Sequence, residues 1–99
     1  MVKVVWSMVT INNRNEILKY WNNRNKSTNY SKKLRILISE AIQTIQAHPN
    51  IGKPSDRIDT RIKIVKDYFL IYRIKNDEIR IVDFWDSRQN PIKLEKIIE

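Results

Sequence analysis

The stretch EIRIVDFWDSRQNPIKL, residues 78–94, decides how this chain folds. Its first half carries Ile79, Ile81, Val82, Phe84 and Trp85, enough apolar, β-favouring surface for a central strand over 78–85. Its second half is the polar turn Asp86-Ser87-Arg88-Gln89-Asn90-Pro91. Asn90-Pro91 halts the strand, because proline has no N–H for the ladder. Arg88 is therefore expected at the exit of a packed strand, and loops held by a rigid sheet often bind or catalyse. The plainer alternative is that Arg88 and Asp86 pair locally and only fix the turn.

Working back from this strand, YFLIYRIK over 68–75 is continuous enough for a second central strand. Asn76-Asp77 joins the two, and a two-residue Asx link favours a hairpin. Residues 60–66 alternate, with Arg61, Lys63 and Val65 on one face and Ile62 and Ile64 on the other. That pattern predicts a half-buried strand with a basic outer face, followed by a tight turn at Asp67. Residues 49–59 read as a polar connection holding the single glycine, Gly52. One isolated glycine does not make a phosphate-cradling loop.

The N-terminal half reads as a strand and two helices. Val2-Lys3-Val4-Val5-Trp6 is a short β-branched strand ended by Ser7. Thr10 is placed to cap a helix over 11–23, whose apolar stripe is Ile11, Ile17, Leu18 and Trp21. Asn22 to Asn25 are poor interior helix formers and mark its end. Ser27 or Thr28 caps the next helix, in which Tyr30, Leu34, Leu37, Ile38, Ala41 and Ile45 recur with the cleanest helical period of the chain. Pro49 ends it near His48. The short link predicts an antiparallel helix hairpin whose stripe is core for the sheet below.

The order strand, helix, helix, strand, strand, strand gives an α+β fold of two layers, with an N-terminal strand and a helix hairpin packed on a mainly antiparallel sheet. Ninety-nine residues make one domain, 1–99, with one modest core. The hydrophobic share of 41% is too high for a disordered chain. A net charge of +8 favours an anionic partner. No run is long enough to span a membrane and no signal peptide is visible, so a cytoplasmic location is expected. The absence of cysteine excludes disulfides, thiolate metal sites and cysteine nucleophiles.

With one histidine, transition-metal clusters and a Ser-His-Asp arrangement are not expected. Asp83 and Asp86 are spaced to hold magnesium through water, but without a third acid nearby they read better as turn or packing residues. His48, ahead of a proline, complements the end of its helix. The basic residues are the stronger signal. Arg61 and Lys63 share a strand face, to which Arg73, Arg80 and Arg88 add if the registers agree; Lys53 and Arg57 lie in the preceding loop and Lys93 in the tail. Such a face, with Tyr68, Tyr72 and Trp85 close by, suits phosphates and unstacked bases. Lysine and arginine can stabilise charge on a transferring phosphate without metal, so RNA cleavage with no cofactor is one reading; a merely solvated basic surface is the other.

Taken together, these features resemble the RelE/ParE superfamily of type II toxins. The likeness rests on the order β-α-α-β-β-β, on Tyr20-Trp21, Arg24-Asn25 and Tyr30-Ser31-Lys32-Lys33-Leu34, on Pro49 with Gly52, on the strand from Tyr68 to Ile74, and on the ending from Asp83 to Pro91. It covers nearly the whole chain. It implies a bacterial growth inhibitor neutralised by an antitoxin that wraps it with an acidic or amphipathic segment. RelE-like members are mRNA interferases, metal-independent endoribonucleases acting on ribosome-bound messenger RNA. ParE-like members poison DNA gyrase.

Carried onto this chain, the RelE-type pattern implies Arg61, Lys63 and Arg88 as catalytic residues; Lys53, Arg57, Arg73, Arg80 and Lys93 are expected from their charge and placement to bind RNA. Two positions depart from it. Phe69 stands where RelE-like enzymes carry an arginine, and the tail after Pro91 holds neither tyrosine nor histidine. The likeness therefore implies a toxin whose target is ribosomal messenger RNA or gyrase, or a degenerate member without toxicity.

Overall fold

The computed structural model of the protein describes residues 2–87. Its elements run β1 (Lys3–Trp6), α1 (Met8–Asn25), α2 (Asn29–Ala47), β2 (Lys53–Pro54), β3 (Thr60–Val65), β4 (Tyr68–Lys75) and β5 (Glu78–Asp86). The five strands form one sheet in the order β1-β5-β4-β3-β2. β1 returns parallel to β5, and every other pair is antiparallel. The two helices cover one face of this sheet, so the α+β two-layer architecture is as expected.

Ser7 starts α1, not Thr10. The Ser7 side chain accepts the Thr10 N–H at 3.1 Å, and the two hydroxyls are hydrogen-bonded at 2.6 Å. Thr10 lies inside the first turn, fully buried. The helix therefore begins three residues before the expected start. Ser is as good a cap as Thr, and the apolar Met8 and Val9 that follow it are exposed, so no apolar stripe marks the true start. α1 ends where Lys26 turns left-handed, with φ 53°. The hairpin is tied across its turn, because the Ser31 hydroxyl contacts the Asn22 side-chain oxygen and also donates to Thr28 O at 3.0 Å.

The main core lies between the helices and the sheet: Leu18, Leu34, Ile38, Ala41 and Ile45 from above, Val65, Tyr68, Leu70, Tyr72, Ile79, Ile81 and Phe84 from below. Ile62, Ile71 and Trp85, with Phe69, form a second small cluster on the opposite face. Two-residue turns close the β3–β4 and β4–β5 hairpins. Asn76 and Asp77 both have positive φ, 50° and 61°, the backbone a tight hairpin needs and one that Asx residues tolerate.

β5 carries a bulge. Its register against β4 shifts between Ile71↔Asp83 and Tyr72↔Ile81, so Val82 is the extra residue. Strict alternation from Ile79 and Ile81 would turn Asp83 into the core and Phe84 out of it. The bulge resets the phase: Phe84 is fully buried and Val82 is 41% exposed. Periodicity read from the sequence does not show this. β2 was not expected either; two residues are too short for a β signal, and they are exposed.

Candidate functional site

Arg61 lies in β3 opposite Tyr72 and Pro54. Its cross-strand neighbours place it, with Lys63 and Val65, on the helix-covered side of the sheet, since Val65, Leu70 and Tyr72 all belong to the main core. The expected basic outer face of β3 is thus turned inward at its margin. The Arg61 guanidinium donates to Gly52 O at 2.7 Å and Asn50 O at 3.0 Å. Beneath it the fully buried Tyr72 hydroxyl accepts the Gly52 N–H at 2.9 Å and donates to Pro49 O at 2.6 Å. Burial raises the Tyr72 pKa, partly offset by the Gly52 hydrogen bond and by the charge of Arg61. The arginine therefore holds the loop between α2 and β2 against the sheet. Lys63 lies further along, in a groove with Leu37, Glu40 and Thr44 of α2.

Arg73 and Arg80 do not join that pair. They oppose each other across β4 and β5, and Arg73 also pairs with Thr60, which puts both on the face away from the helices. Lys53 pairs with Ile62 and falls on this second face as well. Arg57 meets Arg73 around a hollow of about 380 Å³ that also includes Thr60, Asp83 and Val82. The registers thus divide the basic residues between two faces, because one residue of offset along a strand reverses the side chain. Arg88 and Lys93 lie outside the described residues.

Asp83 accepts from Asn13 Nδ2 at 3.3 Å and from the Phe84 N–H at 2.8 Å. Asp86 lines a different hollow, and the described residues hold no group of three or more His, Cys, Asp or Glu placed to bind a metal. His48 caps the end of α2, its backbone N–H donating to Thr44 O at 2.8 Å.

A further hollow, not among the sites expected from the sequence, lies beside α1. It has a volume of about 390 Å³ and is lined by Glu16, Ile17, Tyr20, Trp21 and Arg24 of α1 with Tyr68 and Asp86. Trp21 Nε1 donates to the Tyr68 hydroxyl at 2.6 Å, which fixes the indole at its floor. Tyr20 stands edge-on to Trp21, centroids 5.2 Å apart, and is 54% exposed. Arg24 lies over the indole at 5.9 Å. A rigid aromatic floor with both charge signs at its rim is suited to a protein surface. In the sequence the adjacent aromatics Tyr20-Trp21 are the signal that points here, with Trp21 alone on the apolar stripe of α1.

The family described as the ParE toxin of type II toxin-antitoxin system, parDE, matches residues 4–91. Among solved structures, the chromosomal ParDE toxin-antitoxin system from P. aeruginosa contains a chain with the same fold. It superposes with a TM-score of 0.73 at 19% identity, covering 87% of this chain and 96% of that one. No curated protein sequence matches.

Proposed function

The chain belongs to the ParE toxin family of type II toxin-antitoxin systems, and from that membership we propose that it inhibits growth by binding DNA gyrase rather than by cutting messenger RNA. The observation that carries this reading is the engagement of Arg61. Metal-free cleavage needs several cations converging on one phosphate. Arg61 is committed to two backbone carbonyls, and Arg73 and Arg80 are on the other face of the sheet. Phe69, at the position where the cleaving relatives have arginine, packs with Ile62, Ile71 and Trp85. These features speak for a binding protein in which the basic residues support loops and surfaces.

The contact with the target is the hollow of Tyr20, Trp21 and Arg24 on α1, because aromatic and arginine side chains dominate the energetics of protein interfaces. The partner that silences the toxin is a cognate antitoxin whose acidic segment complements the +8 charge of the chain. Co-expression with the neighbouring gene product should yield a co-purifying complex.

The decisive assay is supercoiling by purified gyrase. Excess toxin is expected to block it, and Tyr20→Ala to raise the toxin concentration required by about tenfold or more. Normal supercoiling at excess toxin, with protein synthesis halting before DNA synthesis after induction in cells, would instead identify messenger RNA as the target.

A further inference from the structure

On the face away from the helices, cations outnumber acids: Lys3, Arg57, Arg73, Lys75 and Arg80 stand against Glu78 and Asp83. Arg73 and Arg80 are directly opposite in the ladder, a like-charge pair that the single carboxylate of Glu78 offsets only in part. The next row along the strands is Lys75 opposite Glu78, with Lys3 on the far side of Glu78. Glu78 ion-pairs with Arg80 at 2.8 Å, and Arg80 still leaves 62% of its side chain exposed. Arg57 completes the array across the hollow it shares with Arg73. A second hollow of about 260 Å³, lined by Arg73, Lys75, Asn76, Glu78 and Arg80, adjoins the first through Arg73.

We propose that this face, through Lys3, Arg57, Arg73, Lys75 and Arg80, binds the phosphodiester backbone of duplex DNA. The proposal stands apart from the gyrase reading and does not require it. Three of the five cations are arginines, whose planar forks match phosphate oxygens. From Lys3 on β1 to Arg57 beside β3 the array crosses three strand intervals, about 14 Å at the usual strand spacing. That is close to the roughly 12 Å width of a major groove, so the ends of the array reach phosphates on both of its sides. A single strand suits the face less well. Single-strand binding uses exposed aromatic platforms, whereas Trp85 on this face is buried and Phe69 half-buried, both in the cluster with Ile62 and Ile71.

The test is fluorescence anisotropy of a labelled duplex two helical turns long with the purified full chain, over a series of salt concentrations. The logarithm of the affinity should fall linearly with the logarithm of salt. Arg73→Gln/Arg80→Gln should reduce that slope by about 2, and Lys3→Gln/Lys75→Gln by about 2 independently. Lys32→Gln/Lys33→Gln, on the exposed side of α2, should leave it unchanged. All of these positions are exposed, and circular dichroism verifies that each variant is folded. Equal losses in all three variants would mean diffuse charge attraction and overturn the assignment. So would an unchanged slope in either sheet variant, tighter binding of the unpaired strand, or binding of polyglutamate in preference to the duplex, which would mark an acidic-peptide surface.

Discussion

Gly52 sits against the ring of Tyr72, its amide donating to the phenol oxygen at 2.9 Å. A Cβ at this glycine would fall 2.6 Å from the Tyr72 oxygen, 2.8 Å from its Cε1 and 3.0 Å from the Ile62 carbonyl. Its backbone φ is not positive, so space, not conformational freedom, requires glycine here.

Gly52→Ala should therefore destabilise the protein by about 1–3 kcal/mol, the usual cost of overpacking a well-filled site. Urea unfolding would read this as a lower midpoint at constant slope. A stability equal to the parent would mean that the loop moves away freely.

Tyr72→Phe removes one hydroxyl and orphans the buried Gly52 N–H and the part-buried Pro49 C=O. The expected loss is about 1–3 kcal/mol. The pH dependence follows from the raised pKa, whose main cause is burial. Because the folded state holds this proton more tightly than the unfolded chain, the contribution is fully present below the ordinary value of 10.0 and is lost as pH rises through the folded value. Stability should fall above about pH 10, and Tyr72→Phe should flatten that fall.

Arg61→Ala tests whether this residue supports the loop or performs chemistry. Loss of its two contacts with Asn50 O and Gly52 O should lower stability by about 1 kcal/mol. Gyrase inhibition per folded molecule should be unchanged. Full stability with abolished toxicity would return Arg61 to a catalytic role.

Ser7→Ala removes the only side-chain cap of α1 and the partner of the buried Thr10 hydroxyl. About 1 kcal/mol should be lost, while Thr10→Ser, which keeps the hydroxyl, should cost less. Thermal melts of the two variants would separate these effects.

Deleting Val82 would remove the bulge but keep the phase, because Asp83 would then follow Ile81 and point away from the core while Phe84 stays in it. A cooperatively unfolding variant with a near-ultraviolet circular dichroism signal close to the parent's is expected. Loss of both would show that the bulge itself, and not only the phase it resets, is required for packing.

Strand and helix order was legible in the sequence because each element advertises its period. α2 repeats its apolar residues at helical spacing, and its buried positions, among them Leu34, Ile38, Ala41 and Ile45, are those the spacing picks out. β4 and β5 are apolar runs separated by Asn76-Asp77, whose side chains tolerate the left-handed backbone of the turn. These are local properties, and local chemistry determines them.

What the sequence alone could not decide is which face each residue takes. Alternation tells that Arg61 and Lys63 share a side; it does not tell that the side is the helix-covered one, because that depends on pairing with β4. The same pairing turns Arg73 and Arg80 the other way, and the extra residue at Val82 resets the phase of β5. The Gly52–Tyr72–Arg61 arrangement joins residues as many as 20 positions apart and leaves no periodic trace. Sequence determined the elements and the charge they carry. Tertiary structure decided the grouping of that charge, since a strand's side-chain period of two makes every face assignment hinge on a register set by long-range hydrogen bonds.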